Sequence, residues 1–446
     1  MLMNYTRATL YFFVAVILAT ESLAAPRPML VWDEQLDSTL ADSGNGISGD
    51  GNGSVYTAGS TSGNLARENP ESHDGFVSRF DTAGNLIWTR QVGAADDHFN
   101  DVSADALGNV FVTGYTTGNV AAANNGNNDA LLLNYDPAGN LRWSRQIGTA
   151  TNDYSGFGVS ADGLGNVYIS GRTRGEEGQD FPYPHDVFVA KYDAAGNRLW
   201  MQPIATSEDD ASLDLAASPL GDLYVAGYTW GTLGNASAGS ADAFVAKFDA
   251  AGNRVWTRQH GGTLAEFVYG AAADDIGNVF VAGATQGGLS GSTAGSYDAF
   301  VLKYDSAGNL LWARQFGTAL YDSVSGVSTD QFGNVILTGY TGGSLGANNA
   351  GSNDVFVSKY SASGELLWAH QFGTSGDDSG SSTWTDGFGN FYLSGTVGAL
   401  GRDSTTADAI VAKFTEVPEA ATSILVSIVA MILAGARCGR IEFACP

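Results

Sequence analysis

The stretch Phe244–Gly262, FVAKFDAAGNRVWTRQHGG, decides the fold because the chain repeats it. FVSRFDTAGNLIWTRQVG at Phe76–Gly93 and FVLKYDSAGNLLWARQFG at Phe300–Gly317 carry the same order of apolar run, Asp-containing turn, Trp, Arg and Gln. Outward from this segment, its Trp recurs at 32, 88, 143, 200, 256, 312 and 368, with spacings of 56, 55, 57, 56, 56 and 56 residues. A near-constant period of this kind marks a repeat architecture, in which each copy buries its apolar face against the next.

One period holds four strand-like runs: SGVSTD from Ser325, NVILTGYT from Asn334, DVFVSKYS from Asp354 and LLWAHQFG from Leu366. Each is short, rich in β-branched or aromatic residues and bounded by turn residues. DQFGN (Asp330–Asn334) and SASGE (Ser361–Glu365) have the chemistry of tight hairpins, whereas TGGSLGANNAGSN is a long polar loop. Four-stranded antiparallel sheets repeated seven times predict an all-β chain folded as a seven-bladed β-propeller. The chain opens on a lone Trp strand, MLVWDEQ (Met29–Gln35), and the array ends on a lone third strand, DAIVAKF (Asp408–Phe414). If the GVSTD-type strand is innermost, the N-terminal strand closes the last blade. An open solenoid would instead need polar capping repeats.

Composition agrees with many short strands. Among 446 residues there are 59 Gly, and charged residues make up 15%. The formal net charge of −26, with no Lys or Arg cluster, excludes nucleic acid as a partner. Both cysteines, Cys438 and Cys445, lie beyond the repeats, so neither disulfides nor thiolate metal sites staple the array. The ends read as addresses. Arg7 followed by the apolar run Leu10–Ala19 and a small-residue stretch predicts a secretory signal over residues 1–24. Residues 25–415 are then the propeller. Residues 416–446 contain an apolar run, Ala420–Ala436, long enough to span a bilayer and followed by Arg437 and Arg440.

Two resemblances follow from these residues. The pattern DAFVAKYD..GN..W.RQ.G, continued by V..D..GNVYV.GYT, resembles the bacterial SBBP propeller repeat over roughly Leu30–Phe414. That resemblance implies the fold and carries no shared catalytic residue. The tail, with Val417, Pro418 and Glu419 before the apolar run, resembles the PEP-CTERM sorting signal of bacterial envelope proteins, with Ala420 in place of the second Pro. It implies processing by an exosortase-like enzyme, membrane attachment through the C-terminal segment, and a cell-surface, extracellular-matrix or secreted location.

The repeated Trp is expected to fill the wedge between blades, with its indole N–H held by one partner. The Lys that follows the central Val by two residues (Lys191, Lys247, Lys303, Lys359, Lys413) is expected to lay its stem along a neighbouring ring. Departures from the repeat nominate binding residues on the face that carries the long loops. The third blade's loop supplies Arg172, Arg174, Phe181, Tyr183 and His185, and the fourth blade's loop supplies Trp230, placed either to stack on a sugar or to pack on its neighbour. Trp384 stands where other blades carry Ser48, Ser103, Ser160, Ala216, Ala272 and Ser328, so it either projects into the central channel or plugs it.

Carboxylates crowd the blade junctions (Asp96, Asp97, Glu208–Asp210, Asp377, Asp378) and read either as solvated surface or as oxygen ligands for Ca²⁺. DGNGS at Asp50 starts like a calcium loop but lacks its bidentate Glu, so no metal ligand set is assigned and no other cofactor is expected. His73, His98, His185, His260 and His370 are scattered in sequence, and neither an H-E-x-x-H pair nor a G-x-S-x-G elbow occurs. The expectation is an exported, non-enzymatic binding or structural module directed at extracellular polysaccharide or an envelope protein. The alternatives are a carbohydrate-active hydrolase or lyase using paired acids, and a calcium-dependent adhesin.

Overall fold

The computed structural model describes residues 27–38, 40–67, 73–93, 95–124, 128–148, 156–163, 165–174, 185–234, 239–398 and 407–417. Pro28–Glu416 forms one compact unit; of the second unit, made of the two chain ends, only Arg27 and Val417 are described. The signal expected over residues 1–24, Pro418 and Glu419 of the tail motif, and the apolar run Ala420–Ala436 lie outside the described residues. No helix occurs among the described residues, so none there is long and apolar enough to cross a membrane.

The strands are arranged in seven four-stranded sheets, each antiparallel, which makes the protein an all-β, seven-bladed propeller. In the sixth blade the strands are Asp322–Thr329, Val335–Thr341, Asp354–Tyr360 and Leu366–Phe372. The innermost strand begins three residues before the run read from sequence, because a β-bulge between Val324 and Gly326 interrupts its alternation. Innermost strands contact one another in cyclic order, and that of the seventh blade, Ser379–Thr385, returns to that of the first, Asp42–Gly49. Each apolar cluster draws on two neighbouring blades. One joins Tyr224 and Val245 of the fourth to Val281, Phe300 and Leu302 of the fifth.

Most hairpins share one turn chemistry, with Ser218 and Ser361 taking the place of the Asp in two of them. In Asp249–Asn253, Asp249 Oδ1 accepts the N–H groups of Ala251 (3.0 Å) and Asn253 (2.8 Å), and Asn253 Nδ2 donates to Asp249 Oδ2 (2.9 Å). Gly252 adopts φ +86°, and a Cβ there would also fall 2.8 Å from the Trp200 ring of the preceding blade. Glycine is therefore required both for backbone conformation and for the seat of a tryptophan.

That seat explains the opening motif. Trp88, Trp143, Trp200, Trp256 and Trp312 each donate the indole N–H to a turn carbonyl of the next blade, at Pro137, Ala194, Ala250, Ser306 and Ala362, over 3.0–3.3 Å. Except after Trp200, where the position is Gln202, the residue two on is an Arg (Arg90, Arg145, Arg258, Arg314) that lies over the same ring, 5.2 Å for Arg258 on Trp256, and donates through Nε to the turn glycine, 2.7 Å to Gly308 O. The Gln that follows secures the long loop of its own blade. Gln259 Oε1 accepts from Leu233 N (2.8 Å), while its Nε2 donates to Gly231 O (2.9 Å) and to Asp242 (2.7 Å).

The N-terminal strand, Arg27–Leu36, is the fourth strand of the last blade, beside Ala407–Val417. Trp32 repeats the lock across the seam by donating to Thr82 O of the first blade (3.1 Å). The lysines depart from expectation in detail. It is the ammonium of Lys191, Lys303 and Lys413 that lies over a ring, at 4.6–5.3 Å, while Lys359 pairs with Asp330 and Glu416 at 2.8 and 2.6 Å.

Deleting residues 26–40 should unpair the edge of Ala407–Val417 and empty the Trp32 and Leu36 sites, lowering stability by about 3 kcal/mol or more. Thermal denaturation followed by circular dichroism tests this, and an unchanged midpoint would show that the seam is closed by something else.

Candidate functional sites on the two faces

The tight hairpins emerge on one face of the propeller, and the long loops and blade junctions on the other. On the loop face the sequence-nominated residues come together only in part. His185 donates its N–H to Asp209 Oδ1 (2.8 Å), and its Nδ1 lies 3.0 Å from the same oxygen. Burial raises the Asp209 pKa, but the His185 N–H, the imidazole and the charge of Arg172 outweigh it and hold the carboxyl below its ordinary range. Arg174 pairs with His185 through the backbone, while Phe181 and Tyr183 lie outside the described residues. Trp230 is exposed and anchored by its N–H to Asp209 O.

Sequence reasoning missed an aromatic arc on this face, running from the fourth to the sixth blade. Tyr228 meets Phe267 edge to face at 5.0 Å, Tyr297 lies 4.6 Å from Tyr321, and Tyr321 stacks on Tyr340 at 5.5 Å, only 6° from parallel. Burial raises the Tyr321 phenol above its ordinary range, and Tyr340 and Tyr297 add to the effect. The junction carboxylates divide into two kinds. Asp42, Asp97, Asp210, Asp322 and Asp378 are buried and cap the turns before their innermost strands, as Asp210 does for Thr206 N (2.6 Å). Their neighbours Asp96, Asp209 and Asp377 are exposed. Asp50 of DGNGS is a hairpin cap like the others, accepting from Asn52 N and Ser54 N.

The channel holds a second unanticipated feature. A cavity of about 360 Å³, lined by all seven innermost strands, contains Asp101 and Asp214. Asp101 accepts the N–H of Val102 in its own strand (2.8 Å) and of Val159 in the next blade (2.9 Å). Asp214 does the same for Leu215 (2.7 Å) and Ala271 (2.8 Å). Innermost strands leave a row of outward backbone groups unpaired, and these carboxylates stitch that row between blades. Burial, and then the neighbouring charge of Asp214, raises the Asp101 pKa well above its ordinary range; burial pushes Asp214 up to about 7. The same position is Gly46, Gly158, Gly270 and Gly326 in four other blades, so the alternation was visible in sequence but unremarked.

On the hairpin face, the innermost turns carry Leu107, Leu220, Ile276, Phe332 and Phe388, between 63% and 81% exposed. Outer turns of the same chemistry place Ala83, Ala138, Ala195, Ala251 and Ala307 there, so the turn itself demands nothing large. The contrast was the available signal. The first blade interrupts this collar with Asp50–Ser54, and a pocket of about 260 Å³ opens beside it, walled by Trp384, Phe388 and Tyr392 over Gly51, Asn52 and Gly53. Trp384 reaches sideways to the neighbouring blade, where a Cβ on Gly49 would overlap its ring, and lies 5.3 Å from Tyr392. It thus walls this pocket as well as the hairpin-face end of the channel.

The repeat underlying this geometry has a recorded counterpart. Residues 87–120, 142–177 and 311–346 match the SBBP family, described as a beta-propeller repeat. Each SBBP match starts on an outer strand, includes its Trp, crosses a blade junction and reaches the loop after the next blade's second strand. Over 167 residues the chain is 30% identical to the regulatory protein FlaEY of Caulobacter vibrioides, covering 34% of this chain and 18% of that one. It is 22% identical over 408 residues to an uncharacterized WD repeat-containing protein of Acanthamoeba polyphaga mimivirus, covering 66% of this chain and 29% of that one. The chain therefore spans less than a third of the length of either relative. Among solved structures, Sqt1 from Chaetomium thermophilum superposes with a TM-score of 0.45 at 12% identity, covering 86% of this chain and 88% of that one.

The channel carboxylates fix a pH dependence. An Asp with a raised pKa binds its proton more tightly folded than unfolded, so its protonation stabilises the fold. The melting temperature should rise as pH falls from 8 towards 5, between the folded value of about 7 for Asp214 and an unfolded value near 3.9. Below about pH 4 the turn aspartates, whose pKa values Asn side chains lower, act in the opposite sense. Asp101→Gly with Asp214→Gly, the residue other blades carry, should flatten the rise; an equal rise in this variant would assign the effect elsewhere.

Proposed function

We propose that the protein is a non-catalytic binding module whose hairpin face takes an apolar segment of a protein partner. The observation that carries this reading is the exposed collar of Leu107, Leu220, Ile276, Phe332 and Phe388, interrupted by the pocket that Trp384 walls. Apolar side chains repeated at a turn position that needs none gain nothing from the turn, and large exposed apolar side chains gathered on one face favour an interaction site. The pocket accepts one apolar anchor, and the collar supplies the dry surround that a central anchor needs. Asp101 and Asp214, the acids that could serve hydrolysis, already hold backbone N–H groups on both oxygens, which favours a structural role for them. An exported protein at the cell surface would meet such a partner in the envelope, in keeping with the signal and tail read from the sequence.

A second reading rests on a separate observation. The half-exposed arc of Tyr228, Phe267, Tyr297, Tyr321 and Tyr340 offers flat faces on which the C–H faces of sugar rings stack, and it favours extracellular polysaccharide as a ligand of the loop face.

A photo-crosslinking residue placed at Phe332, and separately at Tyr321, in the producing cell distinguishes the two. The first reading expects an adduct to one defined protein from position 332 that disappears when Phe388→Ser and Leu220→Ser are added. Absence of that adduct, together with a polysaccharide-induced change in Trp fluorescence that Tyr321→Ala abolishes, would overturn it in favour of the second.

A further inference from the structure

Histidines separated in sequence meet at the junction of the first and second blades. His73, just before the first blade's third strand, and Asp96 and His98, at the entry to the second blade, each offer one ligand atom within 4.8 Å of the other two. His73 Nδ1 lies 3.3 Å from Asp96 Oδ1, and the imidazoles of His73 and His98 are stacked with centroids 5.1 Å apart. We propose that His73, Asp96 and His98 form a binding site for one divalent transition ion of the zinc, nickel or cobalt class.

Comparison of the junctions separates this cluster from the fold's ordinary fastening. The first two positions form a recurrent clasp: His185 with Asp209 at the third junction, Tyr297 with Tyr321 at the fifth, Asn353 with Asp377 at the sixth. The clasp needs two residues. The third position is Ala211, Ser323 and Ser379 at those junctions, so the second imidazole has no counterpart there and no part in the fastening. His98 is also held ready. Its ring stacks on Tyr115 at 4.8 Å, and among the described residues neither of its ring nitrogens is hydrogen-bonded.

The donor set selects the ion. Two imidazoles and one carboxylate suit borderline divalent ions, whereas Ca²⁺ requires six or more oxygens. Metal bonds near 2.1 Å need the three ligand atoms drawn closer than they stand, so the ion would take the place of the His73–Asp96 hydrogen bond between two half-exposed side chains. Three protein ligands leave coordination positions open towards solvent on the loop face, where water or a donor group of a bound molecule would complete the shell.

Isothermal titration of the full chain, carrying no polyhistidine tag, with zinc chloride and with nickel chloride tests the assignment. One saturable site per chain is expected, with affinity at least about tenfold weaker in His98→Ala and unchanged in His185→Ala. Ala is the residue that the fourth blade carries at the position of His98, so the fold should tolerate it, and the metal-free melting temperature checks that. Cobalt(II) should give visible absorption bands with the wild type that His98→Ala lacks. Equal zinc affinity in His98→Ala, equal affinity for Ca²⁺ and Zn²⁺, or no unit-stoichiometry site would overturn the proposal.

Discussion

The propeller depends on one contact made across its blade junctions: an indole N–H donated to a turn carbonyl of the neighbouring blade. A β-sheet blade has apolar residues on both faces and cannot stand alone, so its stability is set by how it seats against the next. The Trp ring fills the wide outer part of the wedge, and the turn glycine lets the backbone approach that ring. At four junctions an Arg then covers the ring and binds the same turn. Because Asp and Asn side chains satisfy the polar groups of the turn internally, the turn presents a rigid receptor. At the sixth junction a side chain replaces the carbonyl, with Trp368 donating to Glu416 at 3.3 Å, and the geometry survives the exchange.

The architecture was readable from sequence because it is written in period and turn chemistry, both of which are local. Seven tryptophans at nearly constant spacing, with Asp-to-Asn hairpins between alternating runs, leave few other folds. The lone strands at the two ends announced the seam that the strand order reports. The sites were far less legible. Departures from the repeat drew attention to Trp230 and to the Arg172–His185 loop, yet the structure's surface features lie mostly within the repeat. The collar hides at a turn position where Leu, Ile and Phe look like ordinary apolar residues until their exposure is known. Asp101 and Asp214 stand where four other blades carry Gly, and only closure of the ring brings them into one cavity. His73 and His98 belong to neighbouring blades; no linear motif joins them, since their proximity follows from the junction.

The two faces are built by different rules and so offer different chemistry. Tight hairpins of equal length fix the hairpin face closely, so its variation lies in side chains rather than in loop length, giving a regular surface that carries the apolar collar. The loop face is assembled from segments of unequal length, held down mainly by the Gln and by the capping carboxylates. It accumulates polar and aromatic groups such as the Tyr297–Tyr321–Tyr340 stack. The packed blades separate the apolar collar from the variable polar rim, so the two surfaces differ in chemistry as well as in position.

Both ends of the described chain lie in the last blade, in neighbouring strands. A pull applied between the two ends therefore runs through that single strand pair and the Trp32 contact, and bypasses the other six blades until the pair gives way. Mechanically the ring is a closed loop fastened by one latch, and the force it withstands is set by the latch rather than by the number of blades.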